Sequence, residues 1–423
     1  MRLWFTLFFG LCYSSVTWAA DLPNDTSLTQ KMWQSLDNSE QENISAQERD
    51  ILGATLALKQ NDPEKALQIL SSPNAQNDPL ASLLKAEAHR RAALEAVSSV
   101  GDYAKHSKLS KQQFAAIDLS DDLSEATVRL QAFADKVDGT EGFPFDILKT
   151  NNNIQSIFIV DKSRSRMFVY QRDAQGEFKR VADEYIVTGA KGGDKKTRGD
   201  ARTPNGIYRF TAVRHDPALR AKYGPVVFPI DYPNMLDRYH GKTGDGIWMH
   251  GYPENKLRRP PQDTRGCFAL PNPNLKKMEA YVTPKQSLVL IGNDFSFGDT
   301  EKQQALLSSV QNSIQTWVQD WQSLDSDAYL SHYHDKFRSG KYNLKRWVSY
   351  KKRVNARKSF IEVQLSDINI IHDPNTWQEG EVVMIEFTQK YRSSNYSDLG
   401  NKRLYLARDD ANQTWKILIE ESL

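Results

Sequence analysis

The sequence predicts a multidomain α+β protein with a helical N-terminal region, a mostly β middle and an α+β C-terminal part. Three observations carry this. Between Leu28 and Val137 apolar residues recur at helical spacing, as in Leu52, Leu56, Ala66, Leu67 and Leu70, and in Leu80, Leu83, Leu84, Ala88, Ala92 and Leu94. After the breaker-rich run Asp138-Gly139-Thr140-Glu141-Gly142-Phe143-Pro144 the pattern switches to short strands divided by Gly, Pro, Asn and Asp. Past Asn293 to Asp299 it returns to helix and then to strands.

Each part follows from its residues. In the first, Asp62-Pro63-Glu64 is a helix start with Pro at an early helical position. Asp62 to Leu67 is similar to the inner turn of a tetratricopeptide-type hairpin, but no repeat series accompanies it, and an ordinary helical domain is the simpler reading. Either form serves docking or dimerisation. In the second, Ile154 to Val160, Arg166 to Gln171, Glu184 to Thr188, Gly206 to Ala212, Gly246 to Met249 and Ser287 to Ile291 read as strands. In the third, Leu306, Leu307, Val310, Ile314, Trp317, Val318 and Trp321 share one helix face. A second helix begins at Ala328, and strands follow over Phe360 to Leu365, Glu381 to Tyr391, Arg403 to Leu406 and Thr414 to Glu420. The expected domains are 21–138, 150–292 and 300–423.

The 423 residues are 39% hydrophobic and 26% charged, a globular composition. A net charge of +2 gives no reason to expect nucleic-acid binding. Residues 1–20 read as a cleaved secretory signal: Arg2, an apolar run from Leu3 to Val16, then the small residues Ala19-Ala20. No later segment reads as a membrane span, and export by this signal gives the periplasm as the expected location. Of the 2 cysteines, Cys12 falls in the signal, which leaves Cys267 as one unpaired thiol in an oxidising compartment.

The chemistry concentrates in Gly246 to Asn272, GIWMHGYPENKLRRPPQDTRGCFALPN. A strand delivers His250 and Gly251, and the loop beyond holds Thr264-Arg265-Gly266-Cys267. An imidazole brought to a thiol can take its proton and produce the nucleophilic thiolate. Gly266 permits close approach or an unusual φ. Backbone N–H groups beside Cys267 are candidates for an oxyanion site. A metal would need three or four protein ligands, and His240 is the only further His nearby, so no cofactor is expected.

His250-Gly251 followed by Thr264-Arg265-Gly266-Cys267 resembles the HG…(S/T)xGC signature of the L,D-transpeptidase (YkuD) catalytic domain. Gly199-Asp200-Ala201-Arg202-Thr203-Pro204-Asn205-Gly206-Ile207-Tyr208 resembles the family's GDxxTPxGxY segment. The resemblance covers roughly Ile154 to Gly292. It implies a β-sandwich-like domain acting on peptidoglycan stem peptides through an acyl-enzyme at the diaminopimelate–D-amino-acid bond. Carried over, Cys267 is the nucleophile, His250 the base and the Gly251 carbonyl its orienter. Thr264, Arg265 and Gly266 shape the loop and the oxyanion site, and Arg202, Trp248 and Tyr252 are the substrate-binding candidates.

Many members carry Arg or Asn two residues after the Cys, where this chain has Ala269. Cys267-Phe268-Ala269-Leu270 is more similar to the cell-shape L,D-carboxypeptidase branch. Trp317…Trp321…Tyr329-Leu330…Tyr333…Phe337 resembles the opening helices of nuclear transport factor two-like domains, and Phe387…Tyr391…Trp415-Lys416-Ile417 their later strands. Those aromatics fill a core or line a pocket for a glycan or peptide. Lys195, Lys196, Arg198, Arg202, Lys242, Lys256, Arg258 and Arg259 crowd the motifs and read as solvated loop charge. The first reading follows the family label, an acyltransferase that passes the acyl group to an amine. The alternative, to which Ala269 and the C-terminal part point, is an L,D-carboxypeptidase that passes it to water. The sequence does not fix which of the two reaches the acyl-enzyme. The expected partners are peptidoglycan stem peptides and, through the helical region, a second copy or a cell-wall partner. The alternative of a non-catalytic cell-wall-binding scaffold would have no use for a lone exported thiol.

Overall fold

The structure is a computed structural model that describes residues 26–38, 44–76, 78–99, 120–137, 142–256, 258–375, 377–408 and 414–423; the signal expected over residues 1–20 lies outside them. Among the described residues no helix is long and apolar enough to cross a membrane. The chain divides into two compact units, Met1–Asp138 and Gly139–Leu423.

The first unit is helical: Thr26–Asp37, Ala46–Lys59, Pro63–Ile69, Pro79–Ser99 and Ser120–Val137. Ser45 and Asp62 cap two of these helices by accepting the Glu48 and Lys65 N–H groups. The periodic residues Ala66, Leu70, Leu80, Leu84 and Ala88 form one buried cluster with Ile51 and Leu58, and Leu52 and Leu56 pack into a second.

The second unit holds two domains. In the β-rich middle domain a five-stranded sheet runs in the order Phe178–Tyr185, Arg166–Arg172, Ser156–Asp161, Ser287–Gly292, Gly206–Arg209. A smaller sheet runs Phe268–Ala269, Trp248–His250, Val227–Pro229. Their facing side chains, among them Phe158, Val169, Phe210, Phe228, Met249, Phe268 and Val289, make one core.

The C-terminal α+β domain is a seven-stranded sheet ordered Ile147–Lys149, Ile361–His372, Glu381–Ser393, Tyr396–Arg408, Lys416–Ser422, Tyr333–Ser339, Tyr342–Asn343. Strand alternation sends successive residues to opposite faces. Ile370, Val383 and Ile385 pack with Val310, Ile314 and Trp317 of helix Thr300–Gln322. Their neighbours Ile371, Val382 and Met384 pack against Ile157, Ile159 and Leu290 of the middle domain. The two domains therefore share an apolar sheet-on-sheet layer, bordered by the buried Glu386 between Arg209 and Arg403.

Two sequence expectations need correction. The helix expected from Ala328 is the short Ser326–Leu330; Tyr333 and Phe337 sit in a strand paired parallel to Lys416–Ser422, and helix Leu344–Asn355 follows. The four-residue spacing of Tyr329, Tyr333 and Phe337 imitates a helix face, but tertiary pairing decides. Lys195 and Lys242 are not solvated loop charges: both are buried and ion-paired, Lys195 to Asp200 at 2.7 Å and Lys242 to Asp194 and Asp237 at 2.8 and 2.9 Å.

Candidate active site

Cys267 stands one residue before the strand Phe268–Ala269, which runs parallel to Trp248–His250 with Phe268 opposite Met249 and Ala269 opposite His250. Phe268 and Met249 both point into the core. By alternation, Cys267, Ala269, Trp248 and His250 share the other face. The thiol is half-buried and lies 3.5 Å from the Gly246 carbonyl. Burial pushes the thiol up from its usual range, against a backbone hydrogen bond from Trp248 and the more distant Arg259 and Lys195 charges.

His250 is 3% exposed. Its Nδ1 lies 2.6 Å from the Gly251 carbonyl, which fixes the proton on Nδ1 and leaves Nε2 as the basic nitrogen. Burial, with Arg259 adding to it, lowers the imidazole to about 4 against that hydrogen bond. The resting pair is thus neutral thiol and neutral imidazole. The Tyr223 ring stands edge-on to both His250 and Trp248, at 5.0 and 5.3 Å between centroids. Its carbonyl accepts the Gly251 N–H at 2.8 Å. A side chain at Gly251 would displace Asn272: a Cβ there would lie 2.0 Å from Asn272 Oδ1, which accepts the Tyr252 N–H.

The loop before the thiol is tied to the second motif. Thr264 Oγ1 donates to the Cys267 carbonyl at 2.6 Å, and Thr203 Oγ1 donates to the same oxygen at 3.2 Å. Gly266 has φ +124, and a Cβ there would lie 2.9 Å from the Arg202 carbonyl. Its N–H is occupied by Thr264 Oγ1, so it is not available to an oxyanion. Among the described residues none accepts the Cys267 N–H.

The remaining sequence candidates separate. Arg265 is exposed, and Arg202 and Trp248 are partly exposed near the thiol, whereas Tyr252 is buried at 2% exposure and presents no open surface. Ala269 is fully buried, its N–H bonded to the Val187 carbonyl. Arg259, read from the sequence as solvated loop charge, is largely enclosed and held by Asp263 at 2.7 Å, and its charge reaches both Cys267 and His250. The four-residue spacing of Arg259 and Asp263 was the available signal. Tyr223 and Asn272 carried none.

The C-terminal domain holds a separate cavity of about 550 Å³ lined by Trp321, Trp347, Lys351, Tyr391, Lys402 and Glu420. Trp321, Trp347 and Tyr391 belong both to this lining and to the domain's core, whereas Trp317 and Phe337 belong to the core alone.

Residues 155–291 match the model of the L,D-transpeptidase catalytic domain (YkuD), and residues 309–421 that of the Cds6 C-terminal NTF2-like domain. The helical cell shape determining protein Pgp2 from Campylobacter jejuni is 31% identical, with 71% of this chain and 98% of that chain covered at a TM-score of 0.55. The chain belongs to the YkuD L,D-transpeptidase family. A point mutant of Pgp2 aligns over 69% of this chain and 97% of that one at 31% identity and TM-score 0.56. Bd1075 of Bdellovibrio bacteriovorus shares the fold at 24% identity and TM-score 0.56, covering 67% of this chain and 98% of its own. No curated protein matches the chain. Within this L,D-transpeptidase-family chain, the threonines that converge on the Cys267 carbonyl come one from each YkuD motif segment.

Proposed function

We propose that the protein is an exported, periplasmic cysteine enzyme of peptidoglycan that cleaves the bond between diaminopimelate and the terminal D-amino acid of stem tetrapeptides. Cys267 is the nucleophile and His250 the base. The observation that carries the reading is the locked imidazole: with Nδ1 held by the Gly251 carbonyl, Nε2 is the nitrogen left to act as base, on a strand paired with the one that Cys267 immediately precedes.

His250 Nε2 takes the thiol proton as Sγ adds to the diaminopimelate carbonyl. The oxyanion is received by the Cys267 N–H. Collapse breaks the peptide bond, His250 returns the proton to the departing amine, and a thioester remains. Water then hydrolyses it, with His250 again as base, to give the tripeptide. Arg202 and Arg265, both carrying exposed surface near the thiol, are suited to the stem-peptide carboxylates.

Hydrolysis is favoured over transfer by two features. Ala269 gives the C-F-A-L ending of the carboxypeptidase branch, and the chain is similar to a helical cell shape determining protein over both domains of its second unit. A role in cell shape follows from the same likeness.

The test is mass spectrometry of disaccharide-tetrapeptide incubated with the mature protein, beside Cys267→Ala. A Cys267-dependent tripeptide is the expected product. A Cys267-dependent dimer joined through two diaminopimelates would instead make the enzyme a transpeptidase, and an unchanged substrate in both samples would overturn the enzymatic reading.

A further inference from the structure

The loop of residues 190–205, which carries Arg202 and Thr203, contains no helix or strand. Isolated backbone hydrogen bonds hold parts of it, Ala190 N–H to the Thr264 carbonyl at 2.8 Å, Lys191 N–H to the Ala201 carbonyl at 3.1 Å and Thr243 N–H to the Lys196 carbonyl at 3.0 Å, and buried side chains hold it further. Two lysines do so from two sides. Lys162 Nζ donates to the carbonyls of Gly193 and Thr203 at 2.8 and 3.1 Å. Lys242 Nζ binds Asp194 and Asp237 and reaches the Asn205 carbonyl at 3.4 Å, while Asp194 accepts the Asn205 N–H at 2.8 Å.

The outer side of Lys242 is closed by the other domain. Trp377 lies in the turn between strands Ile361–His372 and Glu381–Ser393, fixed by reciprocal backbone bonds with Gly380 at 3.1 and 3.0 Å. Its ring stacks on His240 with centroids 4.4 Å apart and planes 11° apart, and Lys242 Nζ sits 4.7 Å from the ring centroid. Glu379 of the same turn is 3.7 Å from His240 Nε2 and 3.1 Å from Lys336 Nζ. A cation over an indole face is attracted to it, more strongly when water is excluded.

We propose that Trp377 of the C-terminal domain is a positioning residue for the nucleophile, acting through Lys242 and the 190–205 loop on the Thr203 hydrogen bond to the Cys267 carbonyl. The C-terminal domain is thereby part of the active-site scaffold, whatever its own cavity holds. The turnover arm of the test rests on the function proposed above; the labelling arm does not.

The experiment compares Trp377→Leu and Trp377→Phe in the full-length mature protein. The readouts are kcat and KM on disaccharide-tetrapeptide and the rate of Cys267 alkylation by iodoacetamide. Trp377→Leu is expected to lower kcat about 2- to 30-fold, the range of mutations that act through an intermediate network, and to shift the alkylation rate with it. KM stays within about twofold, because no substrate contact is lost. Trp377→Phe, which keeps a stacked ring, restores most of the rate. In a Thr203→Val background, Trp377→Leu adds less than about twofold, because the link is already cut. A folded Trp377→Leu with wild-type kcat and alkylation rate overturns the proposal, as does a full multiplicative effect on top of Thr203→Val. Should Trp377→Leu fail to fold, His240→Leu removes the stack from the other side and is judged by the same criteria. A wild type that alkylates normally but turns nothing over would sink the proposed function and leave the labelling arm to decide this one.

Discussion

The hydroxyls of Thr203 and Thr264 donate to one oxygen, the carbonyl of Cys267. Two segments far apart in sequence are thus locked to the same peptide unit. Thr264→Val is expected to lower kcat/KM about 5- to 150-fold, the value of the two hydrogen bonds its hydroxyl makes, one donated to the Cys267 carbonyl and one accepted from the Gly266 N–H. Thr264→Ser should recover most of it, since only the hydroxyl matters. Equal rates for Val and Ser in a steady-state assay would dismiss the carbonyl clamp.

Cys267→Ala should abolish turnover by about 10⁴-fold or more, as removal of a nucleophile from a unit of interdependent residues does. The melting temperature should move little, because the half-buried thiol's polar contacts are the weak 3.5 Å one to the Gly246 carbonyl and a backbone hydrogen bond from Trp248. Substantial residual activity of the purified variant would remove Cys267 from the chemistry.

The pH profile follows from the buried imidazole. Protonation of His250 removes the base, so kcat/KM falls only as pH drops through about 4. An unperturbed histidine would already lose activity near about 6.5. The expected profile is flat between about pH 5 and 7, while alkylation of Cys267 keeps rising above the ordinary thiol value of about 8.5 because burial raises it. An acid limb near about 6.5 would mean that the imidazole titrates as an ordinary histidine does and that its burial does not depress it.

Ala269→Arg, which would install the residue common elsewhere in the family, is expected to destabilise the protein by about 3–5 kcal/mol through an unpaired buried charge. Ala269 is fully enclosed and sits opposite His250, so the guanidinium has no route to solvent without displacing that ring. Chemical denaturation measures this directly. A variant as stable as wild type would show that the pocket wall yields.

Gly266→Ala should lose activity more than stability, because φ +124 and the Arg202 carbonyl 2.9 Å from a new Cβ force the nucleophile loop to move. Such backbone strain costs on the order of 1–3 kcal/mol. Unchanged kcat in the alanine variant would contradict the tight loop.

The motif residues were legible because their constraints are local or chemical: a glycine before a nucleophile, a histidine ending a strand, a threonine able to cap a loop. The runs 156–161, 166–172 and 287–292 were legible as strands because each is apolar and bounded by turn formers. Tyr333 was misread because one sequence spacing serves a helix face or a bulged strand, and only the partner Lys416–Ser422 decides. The burial of Lys195 and Lys242 was invisible for a related reason. A lysine enters the interior only where carboxylates await it, and Asp194, Asp200 and Asp237 are assembled by the fold. Tyr223 and Asn272 act through ring placement and a carbonyl-side amide, which leave no pattern in the chain.

The strand Ile147–Lys149 precedes the whole middle domain yet pairs with Ile361–His372 of the last one, Ile147 opposite Ile371. Gln303 caps the same segment by donating to the carbonyls of Pro144, Phe145 and Ile147, and His372 bonds Asp146 at 2.7 Å. In topological terms the transpeptidase-type domain is an insertion into the C-terminal one. No single cut yields both halves intact: severing the chain after Gly292 strands an edge on one fragment and strips it from the other. A folding chain must also carry that first strand, unmatched, until some two hundred further residues have been laid down, a long-range closure of the kind that slows folding.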